Sequence, residues 1–370
     1  MKKIRVAIVG CGIVAPAHAE SYKRLEGVEL ACACDLDASR AKAFAEKFGF
    51  SSHCTDVNQV FADASIDAVS LCTGHATHAA LAVSALEHGK HLLCEKPLCS
   101  NREGMDRMVA AHERFPNLAF GGVFQHRFDS SIRYVKKLMD EGSFGTVLAC
   151  GAHIRCRRGP EYYRGSDWRG TWAGEGGSVT INQAIHSIDS LVWIMGGVQA
   201  VCGAFANHQL AGVIETEDTA VAALRFGCGA LGTIESTSSS NIVWENTLFF
   251  HGTEGALEMR EGHGIKVSFL TPEKTAAVKA GLAESHDPQL INAGKRYYGK
   301  SHPAQIADFI AAIREGRQPL VSPVSARHTV DVVLAIYQSQ REGRWIDVSK
   351  TGAAAFPEQA ISATAGAGRS

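Results

Sequence analysis

Two side chains in the middle of the chain have the chemistry needed to oxidise an alcohol. Lys96, between Glu95 and Pro97, follows the apolar run 91–94. A lysine amine at the carboxyl end of a buried strand can stabilise the alkoxide that develops as hydride leaves carbon. His186 can act as general base, since the pKa of histidine lies near neutrality. The alternatives are a surface lysine and a structural histidine.

The helix predicted over 181–195 presents a polar side around His186. Asn182, His186 and Asp189 are spaced i, i+4 and i+7, which places them on one side of a helix. We expect Asn182 to bind the substrate and Asp189 to orient its neighbours through buried hydrogen bonds. The glycine-rich stretch 174–177 precedes this helix and allows a ligand to approach the backbone closely.

A glycine-rich turn near the start of the chain is typical of dinucleotide sites. The segment 10–15 follows an apolar strand pattern and fits G-x-G-x-x-A. Gly10 permits the tight turn, and Gly12 lets a pyrophosphate approach the backbone. Ile13 and Val14 then open a helix whose free amides and dipole favour phosphate.

An acid at the end of the second predicted strand accompanies this turn. A carboxylate at Asp35 accepts hydrogen bonds from the adenine-ribose diol and repels a 2′-phosphate. The alternative role for Asp35 is to cap the following helix. The sequence therefore favours NAD, while Arg40 leaves NADP open because a nearby guanidinium can bind the extra phosphate.

Strand and helix patterns alternate through residues 1–124, the predicted dinucleotide-binding domain. Apolar strands joined by helical crossovers predict a doubly wound, parallel α/β sheet. The predicted strands are 4–10, 28–34, 68–73, 91–95 and 118–124, and the predicted helices are 16–25, 38–48, 75–88 and 101–115.

Residues 125–348 change to closely spaced strand patterns, which predict an α+β domain with a large, open, mostly antiparallel sheet. The stretch 274–287 is predicted to be a surface loop or an insertion, and 349–370, rich in Ala, Gly and Ser, is predicted to be a disordered tail. The strands are predicted at 146–157, 198–207, 218–226, 230–238, 246–252 and 256–260, and the helices at 181–195, 303–315 and 326–340.

The composition excludes several classes of function. Lys+Arg 37 and Asp+Glu 38 give a formal net charge of -1, without the basic excess that nucleic-acid binding needs. No run of about 18 apolar residues predicts a membrane helix. The 11 cysteines form no CxxC pair, so we predict no metal site. So many unpaired thiols indicate a reducing compartment, the cytoplasm.

Together these segments resemble the glucose-fructose oxidoreductase, inositol dehydrogenase and rhizopine-catabolism family (Gfo/Idh/MocA). The resemblance implies a Rossmann domain followed by an α+β domain whose sheet builds a homodimer or homotetramer. It also implies NAD(P)-dependent oxidation, or reversible reduction, of a secondary hydroxyl of a sugar or cyclitol, with His186 as general acid/base and Lys96 on the alkoxide. The matching segments are 10–15, Asp35, 95–97, 176–177, 186–189, 302–309 and 335–337.

The resemblance adds residues to the expected site. Arg127 follows the last strand of the first domain and is expected to bind substrate near the nicotinamide. The residues expected around the cofactor on this basis are Thr73, His78, Glu95, Lys96, Trp168 and Arg169.

Two positions depart from the family pattern. Many members have Asp where this chain has Asn182. An amide cannot ionise, so His186 must act alone or pass its proton to water. With Asn at this position, the chain is similar to family members that act on sugar C3 hydroxyls, including those of nucleotide-sugar uronates. Gly74 stands where Pro is usual, and we expect only a local effect on the backbone.

A basic stretch offers the one clue to the substrate. Strand alternation places His153, Arg155 and Arg157 on one face, and Arg157 is a candidate for binding a carboxylate or phosphate. The alternative is an exposed sheet face or a subunit interface. Tyr163, next to Tyr162, either binds a sugar ring or packs. Further arginines follow in the chain at Arg158, Arg164 and Arg169.

Two other functions would use the same residues. Similar proteins cleave glycosides with tightly held NAD, through transient oxidation at C3. A non-catalytic sensor would bind dinucleotide without turnover, and the presence of both Lys96 and His186 argues against it.

Overall fold

The computed structural model describes residues 3–285 and 301–349, which build two sheets. The first sheet is parallel and has the strand order β3-β2-β1-β4-β5-β6. Its elements are β1 (Ile4–Val9), α1 (Ala15–Lys23), β2 (Val28–Cys34), α2 (Ala38–Phe48), β3 (Ser52–Cys54), α3 (Val57–Ala62), β4 (Ala68–Leu71), α4 (His78–Glu87), β5 (His91–Cys94), α5 (Arg102–Arg114) and β6 (Phe120–Gly122).

The second sheet has the order β13-β12-β11-β7-β10-β9-β8-β14 and is antiparallel except between β7 and β10. Its segment contains α6 (Ser130–Asp140), β7 (Val147–Arg157), α7 (Pro160–Arg164), a π-helical turn (Val179–Ala184), α8 (Ile185–Met195), β8 (Ala200–Ala206), β9 (Thr219–Arg225), β10 (Leu231–Thr237), β11 (Ser239–Gly252), β12 (Gly255–Arg260), β13 (His263–Phe269), α9 (Pro272–Glu284), α10 (His302–Glu315), α11 (Pro323–Glu342) and β14 (Ile346–Asp347).

The parallel sheet brings distant segments to one edge. Val9, Leu71 and Cys94, the last residues of β1, β4 and β5, are in register with one another. The glycine turn and Lys96 therefore leave the sheet at the same edge, where ligands of such sheets bind. The parallel sheet therefore brings the glycine turn and Lys96, far apart in the sequence, to the same edge.

Helices from the end of the chain pack back onto both sheets. α10 packs against α1 and buries Ile306 and Phe309 in the core that contains β1. α11 packs against β8 and α8. The second segment of the chain thus covers part of the first sheet as well as its own.

The predicted fold class, a parallel doubly wound sheet followed by a mostly antiparallel one, is confirmed. The predicted loop at 274–287 is wrong where it is described, because α9 occupies Pro272–Glu284. The Thr271 side chain caps the amide of Lys274, and Val278 is buried. The elements β3, α3, α6, α7, β13 and β14 were not predicted. Residues 286–287 and 350–370 lie outside the described part.

Every helix within residues 3–285 and 301–349 is too short or too polar to cross a bilayer. All 11 cysteines are free thiols, and the Sγ atoms of Cys32 and Cys54 lie 3.6 Å apart.

Candidate active site

The turn after β1 leaves the amino end of α1 open. Gly10 has φ +89°, and a Cβ there would lie 2.6 Å from the carbonyl oxygen of Cys72, so this position requires glycine. A Cβ on Gly12 would meet nothing within 4 Å, and Ile13 is exposed. No side chain caps α1, whose N-cap is Val14. The free amides suit a pyrophosphate.

Asp35 is held beside this turn. Its carboxylate accepts from the amide of Cys11 at 2.9 Å and from the amide of Asp37 at 3.0 Å. The alternative that Asp35 caps α2 is wrong, because Asp37 does so by accepting from the amides of Ser39 and Arg40. The Arg40 guanidinium lies 3.2 Å from Asp35 Oδ1. Asp35 thus stands next to the phosphate-binding turn, where a ribose diol would be bound.

Lys96 points from the end of β5 toward the second domain. Its Nζ donates to the main-chain oxygen of Asn182 at 2.7 Å and to Asn182 Oδ1 at 2.9 Å. Burial lowers the pKa of Lys96, and the carboxylates of Glu95 and Glu175 oppose that shift. The structure therefore brings the predicted Lys96 and Asn182 into direct contact.

Asn182 is oriented by a buried acid in the glycine-rich stretch. Its Nδ2 donates to Oε1 of Glu175, whose Oε2 accepts from the amide of Gly170 at 2.6 Å. Glu175 is fully buried, and burial raises its pKa to about 7. A continuous hydrogen-bonded path runs from Glu175 through Asn182 to Lys96.

A second buried acid fixes the backbone that leads into α8. Glu217 accepts from the amides of Ser178 and Thr180, both at 3.0 Å, and from the Tyr337 hydroxyl at 2.8 Å. These hydrogen bonds hold the main chain at the start of the turn that contains Asn182.

His186 stands in the first turn of α8 as a neutral base. Burial, followed by the charges of Lys96, His126 and His302, lowers its pKa well below 6.5. Its Nδ1 has no hydrogen-bond partner within the part of the chain that is described. Its ring packs edge-on against His126, with centroids 5.3 Å apart. Neutral imidazole can accept a proton from a substrate hydroxyl.

His126 is itself held by an acid. Its Nδ1 lies 2.5 Å from Asp129 Oδ2, and Asp129 raises the pKa of His126 although burial opposes the shift. His126 in turn lowers the pKa of His186, which favours the neutral form of His186.

Glu95 faces inward rather than toward an open cleft. Its Oε1 lies 2.9 Å from His18 Nε2 and 3.9 Å from His302 Nε2, and its Oε2 accepts from the amide of Lys96. The three buried side chains His18, Glu95 and His302 place possible metal-ligand atoms within 4.8 Å of one another, a grouping the sequence does not reveal. Direct contact of Glu95 with a cofactor does not fit this burial.

His78 and Thr73 secure the loops around Lys96. The fully buried His78 ring lies 2.8 Å from the carbonyl oxygen of Pro97 and 3.1 Å from that of Thr73. Thr73 Oγ1 pairs with Thr77 Oγ1 at 2.7 Å. His78 is therefore placed to hold the loop after β4 against the loop after β5.

Arg127 is buried against α8, the helix that contains His186. Its Nε and Nη2 donate to both oxygens of Asp189, at 2.8 and 2.6 Å, and neither side chain is exposed. Asp189 also accepts from the Thr329 hydroxyl at 2.7 Å. The expected substrate contact of Arg127 does not fit, because its guanidinium is enclosed and paired. The orienting role expected of Asp189 does fit.

Trp168 and Arg169 lie over the loop after β4. The Trp168 ring packs on His75 with centroids 4.9 Å apart, and a Cβ on Gly74 would lie 3.9 Å from it. A Cβ at position 74 would therefore be at a normal contact distance from the Trp168 ring. This agrees with the expectation that glycine at this position has only a local effect. The Arg169 guanidinium lies 5.4 Å from the Trp168 ring and 4.4 Å from that of Tyr162.

The two other residues predicted to bind substrate, Tyr163 and Arg157, are less well placed for that role. Tyr163 is buried and its hydroxyl pairs with Ser178 Oγ at 2.9 Å, so it packs as the alternative interpretation requires. Arg157 is exposed at the end of β7. Arg155, two residues before it, pairs with Glu235 at 2.8 Å on the face of the sheet.

Both halves of the chain match one protein family. Residues 4–121 match the oxidoreductase family's NAD-binding Rossmann fold, and residues 136–348 match its C-terminal alpha/beta domain. The chain belongs to the Gfo/Idh/MocA oxidoreductase family. The family resemblance and NAD as the cofactor are thereby confirmed, and this protein is an NAD-dependent dehydrogenase.

Similar proteins extend over nearly the whole chain. Myo-inositol 2-dehydrogenase of Thermotoga maritima is 25% identical over 94% of this chain and 99% of its own length. D-glucoside 3-dehydrogenase of Escherichia coli is 26% identical over 93% and 97%. The WlbA dehydrogenase of Bordetella pertussis, solved with NADH and UDP-GlcNAcA, superposes with a TM-score of 0.83 at 27% identity, over 94% of this chain and 98% of that one.

Sequence reasoning did not identify three polar residues in the site of this dehydrogenase. Glu175 carried a usable signal, an acid inside the glycine-rich stretch just before the polar helix. Glu217 and His126 carried none, because their partners come from distant segments of the chain.

Proposed function

We propose that this dehydrogenase oxidises, or reversibly reduces, a secondary hydroxyl of a sugar or cyclitol. The observation that carries the proposal is the oriented amine of Lys96, bound by Asn182 and close enough to His186 to lower its pKa. The names of the relatives support this substrate class, since two of them are dehydrogenases of myo-inositol and D-glucosides.

The glycine turn and the acid beside it would hold the cofactor. Gly10 and Gly12 leave room for a pyrophosphate, Ile13 and Val14 offer amides at the start of α1, and Asp35 is placed for the ribose diol. Thr73 and Trp168 border the same edge. Bound NAD supplies the hydride acceptor.

His186 takes the proton of the substrate hydroxyl, because its pKa, lowered by burial, keeps the ring neutral. Lys96 donates to the oxygen that becomes negative, which stabilises the charge that develops. Asn182 cannot ionise, so it orients Lys96 and passes no proton. Glu175, one hydrogen bond further on, keeps the amide of Asn182 in the required orientation.

We propose that the protein assembles as a homodimer or homotetramer through the outer face of the second sheet. Val221 and Leu231, on neighbouring strands of this face, are 50% and 60% exposed. The Arg155–Glu235 pair lies on the same face, which supports the interface interpretation of that basic stretch. Light scattering of the wild type and of Leu231→Glu tests this, and a monomeric wild type would contradict it.

A panel assay tests the proposed reaction. The purified chain is mixed with NAD, then NADP, and with neutral pyranoses, uronates, cyclitols and nucleotide sugars, and NADH absorbance is followed. We expect NADH from at least one sugar or cyclitol, with NAD preferred. Free sugar released from a nitrophenyl glycoside without net NADH would favour the glycosidase instead.

A further inference from the structure

His186 needs a second group to take the proton that it removes from the substrate. Its Nδ1 is buried and has no hydrogen-bond partner among the residues that the structure describes. Burial lowers the pKa of His186 well below 6.5, so the charged ring must pass its proton on before it can act again. Asn182, in the same site, cannot ionise and cannot take this proton.

The titratable groups around His186 differ in their ability to accept the proton. Among the described residues, Lys96, His126 and His302 lower its pKa, in addition to burial. Lys96, as an ammonium ion, has no lone pair to offer. Burial lowers the pKa of His302 to about 4, which makes that ring a weak base. Asp189, three residues further along α8, is fully buried in its ion pair with an arginine. His126 is therefore the group best able to accept the proton.

His126 lies where it can receive a proton from His186. It belongs to the helical turn Gln125–Phe128, which follows β6 at the same edge of the sheet as Lys96. Its ring is edge-on to that of His186, with the centroids 5.3 Å apart. Burial lowers the pKa of His126, but the carboxylate of Asp129 outweighs burial and raises that pKa above 6.5. A proton therefore moves from His186 to His126 with a gain in free energy.

Asp129 orients His126 instead of capping a helix. It occupies the N-cap position of α6, where an aspartate side chain usually accepts from the first free amides. Its side chain caps no amide of α6; Oδ2 pairs with His126 Nδ1 at 2.5 Å, and Oδ1 accepts from the Ser301 hydroxyl. The side chains of His126 and Asp129 are 20% and 25% exposed, so this pair reaches solvent.

We propose that His126, oriented by Asp129, carries the proton of each turnover from His186 to solvent. The inference rests on the proposed function and adds an exit route for its proton. The substrate carbon gives hydride to NAD, and the hydroxyl gives its proton to His186. His186 then returns to its neutral form by giving one proton to the neutral ring of His126, which gives it to water. One ketone, one NADH and one proton are formed for each alcohol oxidised.

The two rings have to be joined during this step. Because His186 Nδ1 has no partner within hydrogen-bond distance among the described residues, a bridging water or a rotation of one ring connects it to His126. The transfer follows the departure of hydride, so it controls how fast His186 is restored for the next turnover. His126 thus acts through His186 and does not itself contact the reacting carbon.

A stopped-flow single turnover tests the inference. The full chain saturated with NAD is mixed with the best substrate of the panel at mildly alkaline pH, which favours a neutral His126. NADH absorbance and proton release to a pH indicator are followed together. In the wild type, proton release should keep pace with NADH formation. His126→Gln should slow proton release by about 10²-fold relative to NADH formation, and added imidazole should restore it. Asp129→Asn should slow proton release as well, by a smaller factor.

His88→Gln is the matched control, since it changes an exposed histidine at the end of α4, and it should leave both rates unchanged. Proton release that keeps pace with NADH formation in His126→Gln would overturn the inference, by showing that the proton leaves through the substrate cleft. Equal slowing of both rates would also overturn it, by placing His126 in the hydride-transfer step. Melting temperatures show whether each variant folds, and Asp129→Asn decides the question if His126→Gln does not fold. No NADH from the wild type with any sugar would instead refute the proposed function itself.

Discussion

Lys96 is bound by both oxygens of Asn182, at 2.7 Å from the main-chain oxygen and 2.9 Å from the side-chain oxygen. A lysine amine has three donors, so one N–H remains for a substrate oxygen. Asn182 donates in turn to Glu175, which fixes the end of the amide that faces the lysine. The amine is therefore oriented before substrate arrives, which is the condition for stabilising a developing charge.

Replacing Asp35 should alter cofactor choice. Asp35→Ser removes the carboxylate that repels a 2′-phosphate and releases Arg40, which lies 3.2 Å away. The ratio of kcat/KM for NAD to that for NADP should fall at least tenfold, about the cost of one charged hydrogen bond. Asp56→Ser, at the cap of α3, should leave the ratio unchanged. An equal change in both variants would remove Asp35 from the ribose site.

The pH dependence of turnover should reflect a neutral His186. Burial lowers its pKa well below 6.5, so it remains a base as the pH falls to that value. The acid limb of kcat/KM should therefore lie below pH 6.5. His126→Gln should move the limb upward, because the His126 charge is one cause of the lowered pKa. An acid limb above pH 6.5 in the wild type would contradict the assignment.

Glu175 should make stability depend on pH. Burial raises its pKa from 4.5 to about 7, so the folded state binds the proton more tightly than the unfolded state does. The stabilisation from this proton is full below pH 4.5 and is lost as the pH rises through about 7. Glu175→Gln should therefore gain stability relative to the wild type across this window, on the order of 3 kcal/mol.

Melting temperatures measured across that pH range check this prediction. Glu161→Gln changes an exposed acid nearby and serves as the control, with no such trend expected. A constant difference between the wild type and Glu175→Gln would show that Glu175 does not titrate in this window.

The sequence predicts best what periodicity and local motifs specify. The strands Val28–Cys34 and His91–Cys94 and the helix Ala38–Phe48 are predicted to within a residue, because burial on both faces or a clear cap marks them. The short strand β3 and the helix α9 are not predicted, because their residues are mostly exposed and their hydrophobic patterns are weak.

The residues of the candidate site also fall into two groups, those that local sequence patterns predict and those that only tertiary contacts reveal. Lys96 is predicted from its place after a strand, and Asn182 and His186 from their spacing, but most of their hydrogen-bond partners depend on tertiary contacts that the sequence pattern does not contain. Arg127 illustrates the difference. Its position after a strand suggests an open site, whereas its pairing with Asp189, 62 positions away, encloses it completely.

The most direct test of the account is the rate of hydride transfer in Lys96→Met, measured as NADH absorbance in a single turnover with the best substrate of the panel. Lys42→Met, on the exposed surface of α2, is the matched control. We predict that Lys96→Met slows the transfer by about 10²- to 10³-fold while NAD affinity stays within about twofold, and that the control matches the wild type. A Lys96→Met protein that transfers hydride at the wild-type rate would contradict the central role of this amine.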